Sequence, residues 1–423
     1  MANLFQLRCF YRRSLNIYNV SLVHLQMMSP DWNKYRDDFP VIQKYSYLNN
    51  AAISPIPKTV YQQTTKFYRD SLYYGGTLWN RWEKMIEQTR ELYAKFIGAA
   101  GPEEIAFTHS TSEGMNIVAH MLSEKGIVIL NDLEFPATNL PWINKNDGRE
   151  NLKFVKARDQ NKILIKDIVE MIDKTNSLSP QNVVKTIVTS HVQYSTGFKQ
   201  DLKQLAKISK KYGIFLVVNP TQSLGCMYFN VKDFGIDFAT SNGHKWLLSS
   251  FGIGSLYIKG TYLRQPNQFR PSFFSQSGQR DRNLYSINTQ LSMSNTATKF
   301  EIGSPNLPNI SALNAGLQYI STIGIKNIEQ RILQLTDYII DKLHSINLKI
   351  LSPIENKNNR SGIILFQSKN RKPLDIIKIL EKKYKIIVSA RSNGIRISPH
   401  FYNNEDDIDK LVSALEKIFS NSI

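Results

Sequence analysis

The chain has 423 residues, of which 42% are hydrophobic and 21% charged, a composition typical of a globular protein with two or three domains. No stretch approaches the roughly 18 consecutive apolar residues of a membrane-spanning helix, so no membrane partner is expected. The net charge of +18 comes largely from scattered lysines and predicts a solvated basic surface rather than a nucleic-acid site, while two distant cysteines, Cys9 and Cys226, exclude a disulfide framework and a zinc site.

The first thirty residues differ in character from the rest of the chain. They contain no acidic residue but include Arg8, Arg12 and Arg13, a pattern compatible with an organellar targeting segment. Because this segment has no firm helical period, we favour a start codon misassigned upstream of Met27 or Met28, and a cytoplasmic protein. Residues 1–30 are therefore predicted to lie outside the fold, and residues 31–45 to form an arm that packs with a small domain.

Helical and strand-like segments alternate after a loop at residues 47–57. The predicted strands, apolar on both faces, are Ile105–Thr108, Ile127–Leu130, Val183–Ser190 and Ile214–Val218. Such strands, separated by helical patterns, predict a mostly parallel sheet covered by helices on both faces, which is an α/β fold with a large domain over residues 46–300. From Pro305 onward, helical patterns and two strand-like segments predict a smaller α+β domain over residues 301–423.

A dense motif follows, Asp237-Phe-Ala-Thr-Ser-Asn-Gly-His-Lys-Trp-Leu247, and then a Gly-rich turn, Phe251-Gly-Ile-Gly-Ser-Leu-Tyr257. It resembles the Schiff-base segment of the aminotransferase class V family. The resemblance implies fold type I of the transferases that use pyridoxal 5′-phosphate (PLP). It also implies that Lys245 binds PLP as a Schiff base and moves protons at the substrate α-carbon, with Asn242 and His244 as further cofactor contacts.

The strand end before this motif departs from the family pattern. Val217-Val-Asn-Pro-Thr-Gln-Ser-Leu-Gly225 resembles the segment where an Asp binds the pyridine nitrogen and a Gln contacts the ring hydroxyl; Gln222 matches, but Asn219 replaces the Asp. A carboxylate keeps that nitrogen protonated, whereas an amide gives up a charge-assisted contact of roughly 1.5–3 kcal/mol. Transamination should suffer most from this change. Asn219 either tunes the ring toward racemisation or elimination, or marks a degenerate enzyme.

Two motifs resemble the family's contacts to the phosphate and to the face of the ring. Thr111 and Ser112 stand between a strand and a helix N-terminus, where an anion is favoured, although the same pattern suits an ordinary helix cap. Phe135 matches the aromatic residue that stacks on the cofactor ring, with a core Phe as the alternative.

Two further motifs resemble contacts at the ring hydroxyl and across a subunit interface. His191, in Thr189-Ser-His-Val-Gln-Tyr-Ser-Thr-Gly197, matches the residue near the ring hydroxyl, with a structural histidine as the alternative. Ser304 replaces the Thr of the family's Phe-Glu-x-Gly-Thr-x-Asn turn. The resemblance implies that this turn crosses to the cofactor site of a partner in a symmetric homodimer.

The C-terminal segment Val388-Ser-Ala-Arg-Ser-Asn-Gly-Ile-Arg-Ile-Ser-Pro-His-Phe-Tyr-Asn403 resembles the family's substrate-carboxylate segment. Arg396 maps onto the arginine that binds the carboxylate of an amino-acid substrate, and Arg391 is a weaker candidate. An internal ion pair is the structural alternative for Arg396. The Asn-Asn-Ala-Ala opening also matches the family and makes Asn50 a candidate substrate contact.

The resemblance covers about residues 32–420 but leaves the reaction open. We expect a PLP enzyme acting at the α-carbon of an amino acid, with transamination as the favoured reaction. An epimerase or racemase, a C–S lyase with no catalytic Cys, and an inactive scaffold or regulator are the alternatives. Cysteine desulfurase chemistry needs a mobile nucleophilic Cys facing the substrate, and neither Cys226 nor Cys9 fits that description.

Overall fold

The computed structural model describes residues 30–146, 151–159, 161–178, 183–265, 268–280, 292–368 and 371–420. The leader predicted over residues 1–30 lies, apart from Pro30, outside this part of the chain. The described residues form a large unit around an extended sheet and a small unit near the C-terminus. None of the described helices is both long enough and apolar enough to cross a membrane.

The helices follow one another along the whole described chain. They are α1 Trp32–Arg36, α2 Lys58–Tyr74, α3 Trp79–Ile97, α4 Thr111–Leu122, α5 Pro136–Lys145, α6 Ile165–Leu178, α7 Leu202–Tyr212, α8 Gly260–Leu263, α9 Leu307–Ile323, α10 Ile325–Ser345, α11 Pro373–Tyr384 and α12 Glu405–Ser420. The sequence sets several of these ends: Gly98 and Gly213 end α3 and α7 in the left-handed conformation.

The strands divide between three sheets. They are β1 Ser46–Tyr47, β2 Ile105–Thr108, β3 Ile127–Asn131, β4 Leu152–Val155, β5 Val184–Ser190, β6 Phe215–Asn219, β7 Phe238–Asn242, β8 Gly254–Ile258, β9 Ile364–Gln367, β10 Ile386–Ile387, β11 Ser389–Arg391 and β12 Gly394–Ile397.

The large unit is built on a seven-stranded sheet in the order β2-β8-β7-β6-β5-β3-β4. Strand β8 runs antiparallel to β2 and β7, and the other described pairings are parallel. Its strands are buried on both faces almost throughout, as apolar strands beneath two helical layers must be. The predicted α/β fold is confirmed. Because β5, β6 and β7 are parallel, their carboxyl ends meet at one edge, the place where ligands bind in such sheets.

The small unit combines a three-stranded antiparallel sheet, β11-β12-β9, with the parallel pair β1–β10. The apolar faces of α10, α11 and α12 form its core with these strands, around Leu335, Phe366 and Leu415. Helix α9, by contrast, buries Ile310 and Leu317 in the core of the large unit. The boundary predicted at residue 301 therefore precedes a helix that packs with the large unit.

The N-terminal arm connects to the C-terminal segment. Nη1 of Arg36 lies 2.9 Å from an Asp407 carboxylate oxygen and donates to the Tyr402 carbonyl at 2.7 Å. The Phe39 ring stacks on Tyr402 at 4.0 Å between centroids. Strand β1, which the sequence assigned to the large domain, pairs instead with β10, because Ser46 aligns with Ile386. The arm thus makes specific contacts with the small unit.

Candidate active site

Lys245 lies three residues beyond β7, at the sheet edge where the parallel strands end. Its Nζ is 5.5 Å from the centroid of the Phe135 ring. Burial, reinforced by the charges of Arg396 and Arg391, lowers the pKa of Lys245 from 10.5 to about 7. A large share of this side chain is therefore the neutral amine at neutral pH, which is the form that attacks a carbonyl or accepts a proton.

Arg396 faces Lys245 from strand β12. Its side chain is 1% exposed, its Nη1 donates to the Tyr194 carbonyl at 2.6 Å, and its Nε donates to Ser389 Oγ at 3.2 Å. Its Nη2 is buried with no hydrogen-bond partner among the described residues. Burial and the charge of Arg391 lower the pKa of Arg396 to about 9. The internal ion pair considered as the alternative is not present with any described carboxylate.

Tyr194 contacts both Phe135 and Arg396, and sequence reasoning missed it. Its ring meets the Phe135 ring edge to face at 5.1 Å, and its carbonyl holds Arg396. It stands three residues after His191 in a motif that had already been singled out, so its place in that motif was an available signal. Phe135 itself is 42% exposed, which removes the alternative of a core Phe. The two aromatic rings and the arginine thus surround the Lys245 amine.

Asn219 ends β6 in a hydrogen-bonded network. Its Oδ1 accepts from the Thr221 backbone N–H at 3.0 Å, and its Nδ2 donates to Thr138 Oγ1 at 2.8 Å. The backbone donor fixes the orientation of the amide, because only Oδ1 can accept from it. Asn219 therefore directs an uncharged N–H donor, and no acceptor, away from the Thr221 turn. The Thr221 hydroxyl in turn bonds Thr111 Oγ1 at 3.0 Å.

The predicted phosphate cradle is the N-terminus of α4. Ser110 caps this helix by accepting from the Glu113 N–H at 3.2 Å, Thr111 is buried, and Ser112 is exposed. The N–H groups of the first helical turn have no intrahelical acceptor, and the helix dipole favours an anion there. Asn242 Oδ1, at the end of β7, is buried without a partner among the described residues. A free helix N-terminus and an uncommitted amide fit the phosphate and ring of PLP.

His244 precedes the lysine and lies flat against Phe251, with ring centroids 4.4 Å apart. Burial and the neighbouring Lys245 charge lower the pKa of His244 to about 4, so this ring is neutral at physiological pH. Together with Lys245 and Asn242, it forms the polypeptide turn that leaves β7.

Gln222 and Asn50, predicted to contact the cofactor ring and the substrate, both form hydrogen bonds within the protein. Gln222 Nε2 donates to the Ala51 carbonyl and its Oε1 accepts from Trp246 Nε1, both at 2.9 Å. Asn50 is wholly buried; its Nδ2 donates to the Ser398 carbonyl and its Oδ1 accepts two hydroxyls. With its acceptor lone pairs used, Asn50 is a connection between the N-terminal loop and the C-terminal segment rather than a group that faces substrate.

His191 is buried and contacts neighbouring side chains of the large unit. Its Nδ1 bonds Ser223 Oγ at 2.9 Å, and its ring packs against Phe229 and Phe234 at 5.7 and 5.5 Å. Burial and the Lys199 charge lower the pKa of His191 to about 3. These contacts are those of the structural histidine that the sequence left as the alternative.

Ser304 is exposed in the turn before α9, where it borders a surface cavity of about 900 Å³ with Trp79, Arg90 and His109. That this turn reaches the cofactor site of a partner stays a prediction from the sequence pattern.

Cys226 lies in the core of the large unit. It is 0% exposed, its Sγ is directed at the carbonyls of Gln222 and Ser223, and burial raises the pKa of its thiol well above 9.0. A buried, protonated thiol is not a nucleophile for a substrate. Cys9 falls outside the described residues.

The fold and this site define a PLP-dependent enzyme of fold type I. The family model for aminotransferase class-V matches residues 46–411, and the chain belongs to that family. A probable cysteine desulfurase of Borreliella burgdorferi is 28% identical over 420 residues, covering 90% of this chain and 95% of the relative.

Solved structures agree with this assignment. The apo cysteine desulfurase of Thermococcus onnurineus is similar with a TM-score of 0.82 and 26% identity, over 94% of this chain and 99% of that one. A mutant of C-DES with glycine covalently linked to its PLP cofactor shares the fold, with a TM-score of 0.78, 20% identity and coverage of 91% and 99%. The cofactor of the present protein is PLP.

Proposed function

We propose that this protein is a PLP-dependent C–S lyase that eliminates sulfur from the β-carbon of an amino acid without a protein thiol. The observation that carries the proposal is the composition of the site: the low-pKa Lys245 amine lies with an arginine whose Nη2 has no partner among the described residues, while Cys226 is buried in the core of the large unit. The desulfurase names of the relatives support carbon–sulfur cleavage better than the transamination that the sequence favoured. The absence of a suitable thiol among the described residues distinguishes the proposal from desulfurase chemistry.

The residues divide the work of elimination between them. PLP, when bound, supplies the electron-withdrawing group that makes the substrate α-proton acidic. Lys245, as a neutral amine, accepts that proton. Arg396 offers Nη2 to the substrate carboxylate, because its other donors are held by Tyr194 and Ser389. Phe135 and Tyr194 restrict water around the amine. The carbon–sulfur bond then breaks with its electron pair on sulfur.

The neutral Asn219 supports elimination over transamination. In transamination the electrons released at the α-carbon must remain on the substrate and cofactor until a new proton arrives, so a protonated ring nitrogen matters greatly. In elimination those electrons leave with the sulfur. Asn219 offers only an uncharged N–H donor, because the Thr221 N–H fixes its acceptor side. A weaker electron sink costs elimination less than it costs transamination.

A homodimer forms part of the proposal. Large apolar side chains are exposed at the end of α2 and the start of α3: Leu72, Tyr73, Tyr74 and Trp79 are 77%, 71%, 57% and 43% exposed, and Trp79 borders the same surface cavity as Ser304. Exposed apolar clusters of this kind mark interaction surfaces. A two-fold partner seated there would bury them and bring the Ser304 turn of each subunit to the other's site.

The products distinguish the reactions. Holoenzyme incubated with L-cysteine or L-cystine is expected to form pyruvate, ammonia and a released thiol or persulfide, and Cys226→Ala should form them at the wild-type rate. Alanine as the carbon product, lost in Cys226→Ala, would instead establish desulfurase chemistry. Product formation that requires an added α-keto acid would establish transamination.

A further inference from the structure

The strands β11 and β12 form a tight hairpin that carries two arginines toward the site. Ser389 pairs with Arg396 and Arg391 with Gly394, which leaves a turn of two residues, Ser392 and Asn393. Ser392 has a φ of 47°, the left-handed conformation that two-residue hairpin turns require. The hairpin is therefore short and its register is fixed.

Both arginines lie on the same face of this hairpin. Residues two apart on a strand share a face, so Arg391 is on the side of Ser389. Ser389 bonds Arg396 Nε across the strands, which places Arg396 on that side as well. Arg391 and Arg396 are thus diagonal neighbours, a relation that separates side-chain origins by about 7–8 Å.

The two positive charges are not neutralised by the protein. Neither guanidinium forms an ion pair with a carboxylate of the described residues, and Arg391 donates only to the Ala390 carbonyl among them, at 2.7 Å from its Nη1. Arg396 is buried and Arg391 is half-buried. Because an uncompensated buried charge is costly, such a pair indicates that ligand anions complete it. One substrate carboxylate at Arg396 leaves Arg391 uncompensated.

We infer that Arg391 binds a second anionic group of the substrate, so that the substrate is an amino acid whose sulfur substituent ends in a distal carboxylate. The sulfur in this description rests on the proposed function, whereas the dianionic character rests on the hairpin alone. The spacing of the arginines suits two carboxylates joined by a chain of several atoms, as in the disulfide L-cystine. Arg391 is then a specificity-determining residue.

Binding of unreactive acids tests the second anion site apart from catalysis. Adipate and hexanoate have the same carbon chain and differ by one carboxylate. In calorimetric titrations of the holoenzyme at low ionic strength, adipate is expected to bind at least about tenfold more tightly than hexanoate. Arg391→Gln should bring the two dissociation constants within about threefold, leaving that for hexanoate unchanged, because Arg396 still binds the shared carboxylate. Arg391→Lys should keep part of the preference.

The matched control removes the same charge elsewhere. Lys207→Gln, on the exposed face of α7, should retain the full preference for adipate. Equal affinities in the wild type, or a preference that survives in Arg391→Gln, would overturn the inference. The two proposals fail separately: an adipate preference without pyruvate from L-cystine removes the lyase alone, and pyruvate without an adipate preference removes the second anion site alone.

Discussion

The two sides of the candidate site differ in whether their polar and charged groups have partners within the protein. On the sheet side, polar groups satisfy one another: Asn219 bonds Thr138 and Thr221, and Gln222 bonds Ala51 and Trp246. On the hairpin side, Arg391 and Arg396 have no carboxylate partner among the described residues. The sheet side is therefore stabilised by hydrogen bonds within the protein. The charges on the hairpin side are destabilising until an anion binds there. Substitutions on the two sides should accordingly separate effects on stability from effects on activity.

The largest effect is expected where the two sides meet, at Lys245. Lys245→Ala removes the amine that accepts the α-proton, and general acid–base groups contribute about 10²–10⁴-fold in rate. We expect pyruvate formation from L-cystine to fall at least about 10³-fold, because the covalent anchor of the cofactor is lost as well. Lys207→Ala is the control. A Lys245→Ala enzyme that keeps a tenth of the wild-type rate would remove Lys245 from its role.

The pH dependence of the free energy of unfolding reports the cost of burying the Lys245 charge. In the apoprotein the folded pKa of Lys245 is about 7 against 10.5 ordinarily, so the unfolded chain binds more protons between these values. The free energy of unfolding should rise across that window, by up to a few kcal/mol, and level off above it. Urea titrations of wild type and Lys245→Met at pH 7 and pH 10 test this. An equal rise in both proteins would contradict the assignment.

Asn50 tests how much a polar side chain with hydrogen-bond partners inside the protein contributes to stability. Asn50→Ala leaves the Ser398 carbonyl and the Tyr402 hydroxyl without their buried partner, and should lower the free energy of unfolding by about 2–4 kcal/mol. Its neighbour Asn49 has a buried Oδ1 with no partner among the described residues, so Asn49→Ala should cost less than about 1 kcal/mol. If urea denaturation shows that Asn50→Ala and Asn49→Ala lower the free energy of unfolding equally, the hydrogen bonds of Asn50 do not stabilise the fold.

A substitution of Arg396 should weaken substrate binding without lowering stability. Arg396→Gln removes a charge-assisted contact of roughly 1.5–3 kcal/mol, which predicts a 10- to 150-fold rise in KM for the amino-acid substrate. Thermal stability in the absence of substrate should stay constant or increase, since a buried cation without a described counter-charge disappears. A fall in Tm that accompanies the loss of binding would mean that Arg396 has a structural role instead.

Asn219→Asp gives the smallest expected change. The Thr221 N–H keeps an acceptor, and the Thr138 hydroxyl can rotate to donate to the new carboxylate, so the fold tolerates the substitution. A carboxylate favours a protonated ring nitrogen, and we expect transamination with an added α-keto acid to rise about tenfold, the equivalent of about 1.4 kcal/mol. An unchanged rate would show that another group already protonates the ring.

The fold could be predicted from the sequence because it depends on local patterns. Apolar strands between amphipathic helices predicted the sheet, and β2 has the predicted bounds Ile105–Thr108. The short strand β4 at Leu152–Val155 was missed because four residues give little pattern, whereas helix α6 was missed although its buried Ile168 and Ile172 have the spacing of an amphipathic helix. Motif resemblance predicted Lys245, Asn219 and Arg396 as site residues; the first two lie at the carboxyl edge of the sheet and the third on strand β12, and their roles stay predictions.

The roles of individual polar residues were harder to predict. Asn50, Gln222 and His191 all have partners distant in sequence, Ser398, Trp246 and Ser223, and no local pattern shows which hydrogen bonds a folded chain will form. Tyr194 was missed for the same reason, because its contact with Arg396 joins segments that approach each other only in the folded protein.

The pairing of β1 with β10 constrains how the molecule can be made. Ser46 pairs with Ile386, so β1 cannot form its strand pair until residue 386 has been synthesised. Lys245 and the strands of the large sheet are synthesised before the Arg391–Arg396 hairpin. Long-range contacts of this kind slow folding and leave unpaired strands exposed. Until β10, β11 and β12 have been synthesised, the arm has no strand partner and the arginine side of the proposed site is missing.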